Sequence, residues 1–105
     1  MAREVRRMIV FPVADNDGKR LDKENEAIRR QLAKITGGFT ERPGARGSWY
    51  SEQDGKRYEE EVSEVYTTNP RAVDSRVKAQ LPAWRDLLRQ QALYSDAHEV
   101  DNDLV

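Results

Sequence analysis

Arg42, Gly44, Arg46, Gly47, Trp49 and Tyr50 fall within one short segment and bring three kinds of chemistry together. The guanidinium groups of Arg42 and Arg46 supply fixed positive charge and forked donors that match phosphate or carboxylate oxygens. Glycine lets the backbone turn sharply and expose its N–H groups, which is how many loops hold anions. The indole and phenol rings add flat surface on which a base can stack. A small anionic, nucleotide-like molecule would use all three. The competing reading is structural: Trp49 belongs to the core, Arg42 pairs with glutamates further along the chain, and the glycines serve a bulge. The segment has neither the strand, glycine-rich turn and helix order of a dinucleotide fingerprint nor a Walker-type lysine.

Other chemistry-bearing residues are fewer. Glu60 and Glu64 fall on the same side of a strand-like run and would be the natural acid/base pair. The plainer reading is an acidic strand turned to solvent. His98 is the single histidine and lies near the C-terminus, where a surface position is expected. The chain has no cysteine, so disulfides, thiolate metal sites and cysteine nucleophiles are excluded. Asp15, Asn16 and Asp17 carry oxygen ligands, but a calcium loop needs further carboxylates at alternate positions and a distal bidentate glutamate, so an Asx turn is expected. No catalytic set, metal set or cofactor is implied, and the expectation is a non-enzymatic binding protein.

Composition narrows the partners. At 105 residues and 12.1 kDa, residues 1–105 make one domain, and 37% hydrophobic against 35% charged residues leave a thin core. Burial against a second copy would supplement it, so a homo-oligomer, a homodimer first, is expected. The net charge of −1 is far from the basic balance of a dedicated nucleic-acid binder. Arg3, Arg6 and Arg7 alone would give only weak, salt-sensitive contact with nucleic acid. No stretch approaches the roughly 20 apolar residues of a membrane helix. A cytoplasmic location without membrane attachment is the expectation. A host protein docking on the acidic strand and an open sheet face is the alternative partner to a small anionic molecule.

Positioning these residues requires a definite order of elements. Met8-Ile9-Val10-Phe11 within Val5 to Val13 reads as a buried strand closed by Pro12. Leu21, Ile28, Leu32 and Ile35 form one apolar stripe of a helix capped by Asp22 and ended by Gly37-Gly38. Phe39 to Arg42 starts a second strand, which Pro43-Gly44 and Gly47 bend or break before Ser48-Trp49-Tyr50 resumes it. Asp54-Gly55 turns into a third strand, Lys56 to Thr67, paired with the second. Its glutamates, Glu59, Glu60, Glu61 and Glu64, should face solvent or Arg6, Arg7 and Arg42. Asn69-Pro70 opens a second helix with the stripe Val73, Val77, Leu81, Trp84 and Leu88, and Pro82 should kink it or split it in two. Ala92 to Val100 is a candidate fourth strand, followed by a frayed tail at 101–105. Strand, helix, strand, strand, helix, strand is the ferredoxin-like, split βαβ order of an α+β protein: an antiparallel sheet with both helices on one face.

Gly37-Gly38-Phe39-Thr40, then Gly47-Ser48-Trp49, then Asp54-Gly55 leading into Tyr58-Glu59-Glu60 resemble a loose group of small, largely uncharacterised bacterial and phage proteins. The resemblance runs over residues 5 to 67. It implies a ferredoxin-like fold and carries no activity with it. A phage-encoded accessory protein that sequesters a host signal is the use this resemblance suggests.

Overall fold

A computed structural model describes residues 2–103. The elements are β1 (Ala2–Pro12), α1 (Asp22–Thr36), β2 (Thr40–Ser51), β3 (Lys56–Asn69), α2 (Arg71–Leu87) and β4 (Ser95–Asn102). The strands form one antiparallel sheet in the order β2-β3-β1-β4, so the fold is α+β and ferredoxin-like, as the element order predicts.

Alternation along β1 and β3 sorts side chains between two faces. Val5, Arg7, Ile9 and Phe11 point to the helices, together with their register partners Asn69, Thr67, Val65 and Ser63. The core joins Ile9, Phe11 and Val65 to Leu21, Ile28 and Leu32 at α1 and to Val77, Trp84 and Leu88 at α2. Burying each of these side chains contributes about 1.5–3 kcal/mol. The edge of Trp84 meets Phe11 at 6.1 Å between ring centroids, and its Nε1–H donates to Gln31 Oε1 at 2.6 Å. Trp84, and not Trp49, is therefore the tryptophan of the core. Met8, Val10, Glu60, Glu64 and Tyr66 take the opposite face, which no helix covers.

Several local expectations give way to tertiary packing. Leu21, fully buried, is the N-cap of α1, while Asp22 lies inside the helix and receives Arg20 at 3.0 Å instead of capping. Gly37 does end α1 in the left-handed conformation, φ 81°. Asn69 is the last residue of β3, held opposite Val5, and the cap position falls to Pro70. α2 runs through Pro82 as one helix. The burial of Val77, Trp84 and Leu88 on one stripe outweighs the hydrogen bond that proline removes. β4 begins at Ser95 and extends to Asn102, because Asp101 and Asn102 pair with Arg3 and Ala2; these two residues are strand and not tail. Residues 104 and 105 of the expected tail lie outside the described residues.

β2 is one strand with a register shift between Arg42 and Ala45, where Gly44 holds φ 82°. An extra residue in one strand reverses which face every later side chain takes. Thr40 and Arg42 face away from the helices, opposite Tyr66 and Glu64. Beyond the bulge Ala45, Gly47 and Trp49 take that same open face, opposite Val62, Glu60 and Tyr58, and Arg46 and Tyr50 turn to the other side. β1 ends opposite Val62, so the rest of the hairpin continues alone as an arm, and the molecule measures 48 × 24 × 24 Å. Gly55 (φ 70°) and Asp54, whose Oδ1 accepts the Lys56 N–H at 3.1 Å, close its turn.

Candidate functional site

The arm does not stand clear of the body. The segment joining α2 to β4 reaches it, and Gln91 Nε2 donates to Gln53 Oε1 at 3.0 Å in the hairpin turn. Between arm and segment lies a cavity of about 640 Å³. Val10, Pro12 and Val62 supply an apolar floor, Gly47 and Trp49 one wall, and Tyr94 the other. Such a concave, mostly apolar space with few polar groups is the usual form of a small-molecule site.

Gly47 shapes this space by lacking a side chain. A Cβ there would stand 3.5 Å from Val62 Cγ1 and 3.7 Å from Glu60 Cγ, and anything longer would extend into the cavity. Unlike Gly44, Gly47 holds no left-handed φ, so its use is space and not turn geometry. Trp49 is fixed by stacking on Tyr58, 4.9 Å between centroids at 20°. The Tyr58 hydroxyl donates to Asp54, which holds the tyrosine above its ordinary pKa and the carboxyl of Asp54 below its own. Turn, stack and cavity wall thus form one connected unit.

Among the described residues Glu60 is the only charged one lining the cavity. Burial pushes its carboxyl above the ordinary glutamate value, and among the described residues nothing donates a hydrogen bond or an ion pair to it. A half-buried carboxyl without a partner favours a ligand that brings a donor or a positive charge. Glu64 shares the face but lies outside the cavity and accepts the Tyr66 hydroxyl at 3.2 Å, so the two glutamates do not form an acid/base pair. His98 is exposed on β4 opposite Arg6, with β1 between it and the strand that carries Glu60.

Of the six residues singled out in the sequence, the structure brings Gly47 and Trp49 together at this cavity and disperses the rest. Gly44 makes the bulge. Arg42 lies at another concavity of the open face, with its guanidinium carbon 5.9 Å from the Tyr66 centroid. Arg46 is on the reverse of the arm, 81% exposed in its side chain and 3.8 Å from Glu59, and Tyr50 is 66% exposed. Arginine and indole therefore do not converge as expected: Arg46 and Trp49, three residues apart on one strand, face opposite sides, and Arg42, which the bulge leaves on the same face as Trp49, lines a different concavity. Nor do Arg6, Arg7 and Arg42 neutralise the strand-three glutamates: Arg7 is buried on Asp74, and Glu59 is met by Arg46 and Arg57. The sequence offered Glu60 as an acid/base partner of Glu64 or as part of a solvated acidic strand, although its alternation with Tyr58 and Val62 already placed it beside apolar residues. Tyr94 and Gln91 carried no local signal. Asp15 does build the expected Asx turn, its Oδ1 accepting from Asp17 and Lys19 N–H at 3.0 and 2.9 Å.

No family model and no curated protein matches the sequence. Solved structures match in fold. The divalent cation tolerance protein CutA1 of Thermus thermophilus superposes with a TM-score of 0.67 at 12% identity, covering 98% of this chain and 88% of that one. CutA1 of Ehrlichia chaffeensis gives 0.70 at 6% identity over 99% and 87%. A phage SAM lyase solved with S-methyl-5'-thioadenosine gives 0.64 at 13% identity over 94% and 90%. At these identities the likeness establishes a shared fold. Among the described residues no helix is long and apolar enough to cross a membrane.

Proposed function

We propose that the cavity between the hairpin arm and residues 90–95 binds a small, flat, nucleoside-like molecule and that the protein holds it without turnover. The observation that carries this reading is the meeting of a bare Gly47, a stacked Trp49 and a lone, desolvated Glu60 around one apolar floor. The charge follows from the lining. Glu60 repels a phosphate at this position, so the ligand here is neutral or carries an amino group or other cation, and not the anion that Arg42 and Arg46 suggested. The phage SAM lyase, alike in fold, is described with S-methyl-5'-thioadenosine, a nucleoside without phosphate, and that supports the same class.

Calorimetry with S-methyl-5'-thioadenosine, adenosine and adenosine monophosphate tests the reading. Wild type should bind a nucleoside more tightly than the monophosphate, and Gly47→Leu, which fills the cavity, should remove the binding while leaving the fold intact. Absence of nucleoside binding by wild type, or equal binding by Gly47→Leu, overturns it.

The alternative, docking of a host protein on an acidic strand, has less support. Glu59 and Glu61 face one side of β3 and Glu60 and Glu64 the other, so the strand presents no single acidic stripe. Self-association of the chain is supported by the half-buried Met8, Val10 and Val100 on the open face. Sedimentation should then give a mass above 12.1 kDa.

A further inference from the structure

Nearly every arginine of this chain has a carboxylate within ion-pair distance among the described residues; Arg6, Arg42 and Arg76 have none. Arg76 lies on α2, outside the lining of either concavity. Arg6 and Arg42, from β1 and β2, line one concavity of about 540 Å³ at the end of the open face away from the arm. Gly38, Phe39, Thr40, Tyr66, Thr67 and Thr68 complete its lining. The guanidinium of Arg42 lies over the Tyr66 ring, and Arg6 Nε donates to Thr68 Oγ1 at 3.4 Å. Glu64 stands opposite Arg42 in register, yet it is engaged by the Tyr66 hydroxyl. Two cations are thus directed at one space with no acid of their own, an arrangement that repels itself until an anion enters.

We propose that this concavity is a phosphate-binding site, distinct from the Trp49 cavity. Two forked guanidinium groups with two threonine hydroxyls beside them match the several oxygens and the near-double charge of a phosphoryl group. A single carboxylate would occupy only one fork. Because both arginines are exposed, binding weakens as salt rises.

The test follows the arginine Nε–H resonances by NMR while inorganic phosphate, and separately ribose 5-phosphate, is added at low ionic strength. Saturable shifts of Arg6 and Arg42 are expected, and the tighter of the two ligands identifies free phosphate or a phosphoester as the source. Arg42→Gln and Arg6→Gln should each weaken binding about tenfold or more. Arg42→Lys should recover part of the loss, whereas Arg76→Gln should change nothing. Gly47→Leu should also bind phosphate normally, which separates this site from the nucleoside reading. Failure of wild type to saturate, or an equal loss in Arg76→Gln, overturns the site. A fall in sedimentation mass in Arg42→Gln without phosphate binding by wild type also overturns it and assigns the arginines to an interface between copies of the chain.

Discussion

The two faces of this sheet are built from alternate residues of the same strands, and on each side stand a tryptophan, arginines and a glutamate, the helix-side tryptophan being Trp84 of α2. On the helix side these groups are satisfied. Trp84 is buried against Phe11 and bonded to Gln31; Arg7 makes a two-pronged contact with Asp74 at 2.8 and 3.0 Å and donates to Ser95 Oγ at 2.9 Å. Glu41 receives Arg29 at 3.0 and 3.2 Å and Ser63 Oγ at 2.6 Å. On the open side Trp49 stacks at a cavity wall and, among the described residues, Arg6 and Arg42 have no acid and Glu60 has no donor. Polar groups left without partners beside concave surface are available to a ligand, whereas Trp84, Arg7 and Glu41 on the helix side already serve the fold.

Truncating the tryptophans should separate the faces most widely. Trp84→Ala should cost about 3–5 kcal/mol in chemical denaturation, the range for a large core aromatic, and Trp49→Ala about 1 kcal/mol or less. Similar losses would break the distinction. The arginines give a comparable contrast: Asp74→Ala leaves the buried Arg7 charge unpartnered and should cost about 3–5 kcal/mol, most of it recovered in Arg7→Met/Asp74→Leu. Arg6→Gln on the open face should stay within about 0.5 kcal/mol.

Filling the cavity tests the open face itself. Gly47→Leu should reduce nucleoside affinity by about tenfold or more while shifting stability by about 1 kcal/mol or less, because the added Cβ meets only ordinary contacts. A large loss of stability would mean that Gly47 serves the sheet.

The two glutamates give the smallest effects, of opposite sign. Hydrogen bonding from Arg29, followed by Ser63, holds the Glu41 carboxyl below the usual range against the opposing effect of burial, so its contribution is present above the unfolded value near 4.5 and is lost as pH falls through the lower folded value. Glu60 is raised by burial, so its folded state binds the proton more readily. Its contribution is fullest below 4.5 and declines as pH rises through the higher folded value. Denaturation across pH should therefore show Glu41→Gln losing stability mainly at neutral pH and Glu60→Gln gaining there. A Glu60→Gln variant less stable than wild type at neutral pH would remove the desolvated carboxyl from the account.

Local signals carried much of the architecture. The stripe Leu21, Ile28, Leu32 and Ile35, the left-handed stop at Gly37 and the Asp54-Gly55 turn each depend on neighbours a few residues away, and each is where the pattern puts it. Strand alternation also placed Glu60 with Tyr58 and Val62. The gathering of Arg42, Arg46 and Trp49 into one site failed because Arg46 and Trp49, three residues apart on one strand, face opposite sides, while Arg42, set on the Trp49 face by the bulge at Pro43-Gly44, lines another concavity of that face.

By itself the sequence determined the helices, the turn, the βαββαβ order and a segment rich in site-forming residues, since periodicity and backbone preference act over a few positions. The tertiary structure decided which of those residues meet. Register with β3 fixed the bulge, the segment at residues 90–95 walled the cavity, and the pairing of both β1 and β2 with β3 set Arg6 and Arg42 on either side of that strand. Such contacts join positions far apart in the chain, and their free energy depends on the whole sheet being formed.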